Sequence, residues 1–280
     1  MAQLKMKSTA ERVALLLPGD DNPILVQQAT PNTRAYIHPI LMPRGHAVLT
    51  EDTPGHHPWQ HGLYVGLNDV NGIGFWTEGL QENRRSKDGT FHPQPIVGTK
   101  IDQNQANWTV ASQWRDPNGI LMLTETQTWC FTHHGDTYDM DLYWSLSAAI
   151  DLSFGQYAYG GIFLRMPYKK ELGGEAVNSQ GQINKQAEGQ RARWVSVSMP
   201  IEGVGADGWA GIAIMDHSTN PEHPNPWRVD GQLGIAPSRC IAGDWHLSAG
   251  ETTTSRYRLF VFGGRSDMSR VDANWTEFNT

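Results

Sequence analysis

Cysteine, long apolar runs and an excess of positive charge are all scarce in this chain, and each scarcity closes a route. Cys130 and Cys240 are the two cysteines among 280 residues. Two thiols build no disulfide framework and match no zinc spacing, which fits a reducing compartment. A chain of this length buries enough surface to need no such staples. No stretch approaches the roughly 18 consecutive apolar residues of a membrane span. The run Val13-Ala14-Leu15-Leu16-Leu17 stops at Pro18-Gly19-Asp20-Asp21 without a small-residue cleavage pattern, so no signal peptide and a cytoplasmic location are expected. Lys and Arg total 22 against 29 Asp and Glu, a net charge of −7. That balance offers no attractive field to nucleic acid or to an anionic membrane. Glycine-rich phosphate loops, a Ser nucleophile elbow and a dinucleotide fingerprint are missing too. The stretch Gly203-Val204-Gly205-Ala206-Asp207-Gly208 has no helix after it and reads as a hairpin loop.

Turn formers and tryptophan are plentiful: 29 Gly, 16 Pro and 11 Trp. Turn residues between short apolar runs point to β architecture, and period-two alternation recurs. In 137–147, Tyr138, Met140, Leu142, Trp144 and Leu146 share a face. In 107–115, Trp108, Val110, Ser112 and Trp114 do. In 119–131, Leu123, Glu125, Gln127 and Trp129 align. Further strands are expected at 62–67, 159–166, 194–199, 209–216 and 255–262. A short helix is expected near 11–17 and another over 267–278, where Met268, Val271, Trp275 and Phe278 form a stripe behind the cap Ser266. The segments 81–90 and 169–190 read as long loops. With no repeat or linker, the expectation is one all-β domain over 1–280, a large antiparallel sandwich with a C-terminal helix.

Two polar clusters stand out against this scaffold. The first is His56-His57-Pro58-Trp59-Gln60-His61-Gly62, with Asn71 and Trp76 soon after. The second holds Asp216, His217, Asn220, His223, Trp227 and Arg228. Neutral imidazole is both a proton shuttle and a metal ligand, and proline pins both loops. They are expected to form two walls of one pocket. His57 and His61 with Asp216, His217 or His223 would make a three-ligand site for a divalent metal with an open position; acid–base work without metal is the alternative. Glu125 is a candidate carboxylate on a rigid strand. Asn71-Gly72 also fits a plain tight turn. Trp59, Trp76 and Trp227 have faces suited to stacking on a sugar ring. Arg165 lies on one strand face with Phe163 and Tyr159, where it is either paired or lines a polar groove.

The motifs Arg34-Ala35-Tyr36-Ile37-His38-Pro39, Thr50-Glu51-Asp52, His57-Pro58-Trp59-Gln60-His61-Gly62-Leu63 and Val70-Asn71-Gly72 through Phe75-Trp76 resemble the front half of the bacterial PmoA-like family, DUF6807. Leu164-Arg165-Met166-Pro167, Asn178-Ser179-Gln180-Gly181, Arg193-Trp194-Val195, Asp216-His217, Asn220-Pro221, His223-Pro224 and Trp227-Arg228 resemble its back half. The chain departs from the family at Gln60-His61-Gly62-Leu63, where His-His-Arg-Gly-Leu is common, and at Trp227-Arg228-Val229-Asp230. The label "methane oxygenase" attached to that family does not suit a chain without a membrane span. The resemblance implies a galactose-mutarotase-like supersandwich and a place in bacterial sugar catabolism. The expected function is cleavage of a glycosidic bond by hydrolysis or elimination, with a sugar epimerase or mutarotase and a non-catalytic sugar-binding module as alternatives. His57, His61, Asp216, His217, His223 and Glu125 are the candidates for acid–base or metal roles. Trp59, Asn71, Trp76, Arg165, Asn178, Arg193, Asn220, Trp227 and Arg228 are the candidates for holding the sugar.

Overall fold

In the strand Gln105–Arg115, Trp108, Val110, Ser112 and Trp114 are buried while the residues between them are half-exposed, the burial pattern that a half-covered sheet imposes. The computed structural model describes residues 3–84, 87–203 and 208–280. Among them, the strands form two largely antiparallel sheets, one of eleven strands and one of nine. The nine-stranded sheet runs from Glu175–Asn178 through Trp194–Pro200, Trp209–Asp216, Thr252–Gly263, Thr137–Ala148 and Leu121–His133 to Gln105–Arg115 and Thr90–Pro93. The eleven-stranded sheet starts at Lys5–Ser8 and passes through Arg12–Leu16, Leu25–Gln28, Tyr36–Ile40 and Leu63–Val70 to Gly161–Leu164, Ile235–Pro237 and Trp227–Val229. One continuous apolar core takes Leu15, Leu25, Ile37 and Val65 from the second sheet and Trp108, Trp129, Met140 and Leu259 from the first.

The expected long strands are all present, with shifted ends: Leu121–His133 starts later than expected, at a register break between Leu121 and Leu123. The helix expected over 11–17 is instead the strand Arg12–Leu16, paired on both sides with Lys5–Ser8 and Leu25–Gln28. A continuous apolar run suits a strand covered on both faces as well as it suits a buried helix. The C-terminal helix Met268–Phe278 is capped by Asp267, not Ser266; Asp267 accepts from the backbone N–H groups of Ser269 and Arg270. The expected loop 169–190 contains the edge strand Glu175–Asn178. In 81–90, a turn at Glu82–Arg84 precedes residues 85–86, which lie outside the described residues. The loop read at Gly203–Gly208 likewise falls largely outside them, between two strands paired at Pro200 and Trp209.

Candidate functional site

A half-open cleft of about 590 Å³ lies over the eleven-stranded sheet, where three loops converge. The first loop leaves the sheet after Leu49 and returns at Leu63. Its base is closed by the Asp52–His61 bridge and by Thr53 N–H donating to Gln60 O at 2.7 Å. Gly62 sits at the return with φ +64°, and a Cβ there would lie 2.8 Å from Ile37 O, so the tight re-entry requires glycine. This loop brings His56, His57, Trp59 and Gln60 to the cleft; Trp76 and Thr77 come from the loop after Ile73–Phe75, and Arg228, Asp230 and Gln232 from a third segment.

Arg165, just beyond the strand Gly161–Leu164, is 1% exposed yet lines the cleft. Its Nε donates to Gln60 Oε1 at 2.7 Å, its Nη1 to Gln232 O at 3.3 Å, and its Nη2 pairs with Asp230 Oδ2 at 3.3 Å. A guanidinium carries five N–H donors, so this arrangement keeps a cation fixed with donor capacity to spare. Asp230 is itself held by Gln232 and Gly234 N–H groups on Oδ1. Trp59, Tyr64, Trp76, Tyr159 and Phe163 pack together as an aromatic cluster, with Trp76 and Tyr159 centroids 4.8 Å apart. Arg228 lies over Tyr159, 5.8 Å from its centroid, and pairs with Glu188.

His57 Nδ1 is buried and meets no hydrogen-bond partner among the described residues. Burial, then the charges of His56 and Arg165, hold its pKa below the ordinary histidine value, while Asp230 pulls the other way. His57 is therefore a neutral imidazole lining the cleft near a fixed cation. That pairing suits proton abstraction. His61 lies behind the cleft instead, with Nδ1 2.7 Å from Asp52 Oδ1 and Nε2 3.0 Å from Glu78 Oε2.

The two polar clusters meet in the cleft through Arg228, but Asp216, His217 and His223 do not line it. Asp216 is fully buried, and its two oxygens accept from Asn220 Nδ2, Asn225 N–H and Nδ2, and His223 Nδ1 at 2.9 Å. His217 bonds to Thr219 and to Arg256, and His223 stacks on Trp275 of the C-terminal helix. A polar hub that ties a loop to a helix explains that cluster. The three-ligand combination with His57 and His61 consequently does not form, and among the described residues no group of three or more His, Cys, Asp or Glu is placed to hold a metal ion.

Other candidates also fall elsewhere. Glu125 is buried in the sandwich core, where its carboxylate accepts from Trp114 Nε1, Trp144 Nε1 and Gln127 Nε2 at 2.9–3.1 Å. Trp227 is fully buried and donates to Ala192 O. Asn71 occupies the turn reading, with φ +53° next to Gly72, and its side chain bonds the backbone at Asp151 and Ser153. Asn178 holds its own turn through Gln180 and Gln182, and Asn220 bonds the Arg256 backbone as well as Asp216. Arg193 pairs with Asp272 of the C-terminal helix. The cleft does bring together His57, Trp59, Trp76, Arg165 and Arg228. Sequence reasoning missed Asp230, Gln232 and Gln60 as members, although Asp230-Gly231 carries a turn signal next to Arg228.

The sequence matches the family of unknown function DUF6807 over residues 24–276. The chain belongs to that family. No curated protein matches the DUF6807 chain described here. Among solved structures, the Slr1438 protein from Synechocystis sp. PCC 6803 is similar with a TM-score of 0.41 and 9% identity, covering 94% of this chain and 96% of that one. A galactose mutarotase related enzyme from Lactobacillus acidophilus gives a TM-score of 0.37 and 8% identity over 94% and 99% of the two chains. For an α-galactosidase from Lactobacillus brevis the TM-score is 0.42 and the identity 11%, over 94% of this chain and 40% of that enzyme.

Proposed function

We propose that the protein is a carbohydrate-active enzyme that breaks a C–O bond of a sugar by elimination, with His57 as the base. The observation that carries this is a neutral His57 lining a cleft that also holds the Arg165 cation and the Trp59 and Trp76 rings. Asp230 is the one carboxylate among the described residues lining the cleft, and it is engaged by Arg165. Glycoside hydrolysis by the common route needs a pair of carboxyl groups about 5–9.5 Å apart. Elimination needs one base and a cation. His57 takes a proton from a ring carbon, that C–H electron pair becomes a C=C bond, and the C–O bond to the leaving group breaks. The leaving oxygen collects a proton from the imidazolium or from water. A neutral imidazole removes such a proton only where an adjacent carbonyl or carboxyl group acidifies it, and Arg165 is placed to meet the negative charge that develops there.

The test is turnover on a panel of uronides, keto-glycosides and unmodified glycosides, read as ultraviolet absorbance of the new double bond. Activity is expected on the first or second class. His57→Ala is expected to lower kcat by about 10²-fold or more with the fold intact, and Trp59→Ala to raise KM by removing stacking area. Unchanged turnover in His57→Ala removes that residue from the mechanism. Interconversion of anomers or epimers without bond cleavage would instead support a mutarotase, and binding without turnover across the panel a sugar-binding module.

A further inference from the structure

Two of the segments that line the cleft are joined behind it by one imidazole. His61 follows Gln60, the residue that accepts from Arg165 on the cleft side. Glu78 follows Trp76 and Thr77, which line the cleft from the next loop. Between them, His61 Nδ1 lies 2.7 Å from Asp52 Oδ1 and Nε2 lies 3.0 Å from Glu78 Oε2. Both acceptors are carboxylate oxygens, so both ring nitrogens donate, which only the imidazolium form does. Glu78 is anchored in turn, because its Oε1 accepts from the Arg34 backbone N–H at 2.7 Å and lies 3.4 Å from Arg34 Nε.

We infer that His61 is a proton-operated latch of the cleft: the imidazolium bridging Asp52 and Glu78 ties the two loops together, and loss of its proton releases them. The inference rests on the cleft being the working site, since the two tied loops carry His57, Trp59, Trp76 and Thr77.

The groups facing His61 come from every element packed on it. Asp52 and Glu78 hold its nitrogens, and Arg34 stands behind Glu78. Tyr36 stacks on the ring at 4.7 Å, with His38 on the same strand, and Tyr64 meets it edge-on at 6.4 Å. Burial pulls the His61 pKa down, but the hydrogen bonds to Asp52 and Glu78 outweigh it, and the pKa stands above the ordinary histidine value. The sign follows from that direction. The bridge is complete below the unfolded histidine pKa and is lost as pH rises through the higher folded value. Above it, one ring nitrogen presents a lone pair to a carboxylate. Asp52 lies on the loop of His61 itself, so the tie between the loops is the bond to Glu78: the neutral ring keeps its Nδ1–H on Asp52, the Nε2 lone pair faces the Glu78 carboxylate, and Glu78 stays with Arg34.

The experiment is hydrogen exchange by mass spectrometry across a pH series, with the His61 ring titration followed by NMR in the same samples. It requires no sugar, so its failure leaves the elimination reading standing, and failure of that reading leaves the latch standing as a property of the loops. After correction for intrinsic exchange, residues 52–62 and 76–80 of the wild type should lose about tenfold or more of their protection through the His61 titration. The strand Thr137–Ala148 should not. His61→Gln should lack that protection at every pH. Asp52→Asn, a change at a partly exposed residue, keeps the test decisive if His61→Gln fails to fold: an Asn amide can donate to Nδ1 of the neutral ring and leave Nε2–H on Glu78, so protection should no longer fall as pH rises. Loop protection that does not change through the titration overturns the latch, as does a wild-type profile in either variant.

Discussion

Glu125 and His57 are both side chains that alternation or clustering singles out, and the structure sends them to opposite fates. Glu125 shares its face with Leu123, Gln127 and Trp129, and that face is the sandwich core. Burial raises its pKa against the hydrogen bonds from Gln127, Trp144 and Trp114. Three N–H donors converge on its two oxygens, so Glu125→Gln places an amide NH₂ where one of them needs an acceptor. We expect that variant to lose about 1–3 kcal/mol of stability, the cost of an unmade buried hydrogen bond, in a denaturant titration, with the cleft's ligand binding unchanged. Intact stability combined with lost binding would return Glu125 to the site. Period two assigned Glu125 to the correct face. It carries no information on whether that face meets a second sheet or a cleft.

At the scale of elements, the long alternating strands were legible and the ends and short pieces were not. Gln105–Arg115, Leu121–His133 and Thr137–Ala148 alternate because one face of each is covered by the other sheet. Arg12–Leu16 is flanked by strands on both sides and is buried after its first residue, so its apolar run has no period to read. The C-terminal helix was visible as a stripe. Its docking site was not: Val271 and Phe278 pack on Trp194, Met215, Phe260 and Phe262, and Trp275 Nε1 donates to Asp216 O at 2.9 Å. Phe278→Ala is expected to cost about 3 kcal/mol as a large-to-small change in a packed cluster. A thermal scan checks it. A shift below 1 °C would mean that the helix contributes little to the sheet it covers.

For the whole molecule, pH reaches stability most directly through the charges behind the cleft. Burial alone would raise the Glu78 pKa, but the charge of Arg34 and the hydrogen bond and charge of His61 outweigh it and lower it from 4.5 to about 2. A carboxylate with a depressed folded pKa contributes stability that is present above its unfolded pKa and is lost as pH falls through the folded value. Part of the acid unfolding of this protein is therefore expected between pH 4.5 and about 2. Glu78→Gln should be less stable than the wild type at pH 7 and should show a shallower fall over that window, in urea titrations at several pH values. Equal slopes for the two proteins would place the acid sensitivity elsewhere.

What the sequence by itself determined is the all-β class, the inward faces of the long strands, and the histidine-rich loop that supplies one wall of the cleft. Those features are local: side-chain direction alternates with each residue of a strand, and Pro and Gly restrict a loop wherever it ends up. The tertiary structure decided which loops meet. His57 meets Arg165, Asp230 and Trp76 in the cleft, while Asp216, equally conspicuous in sequence, is enclosed by Asn220, His223 and Asn225. That choice belongs to the order of strands across two sheets, which brings together residues more than a hundred positions apart and which no short-range pattern encodes.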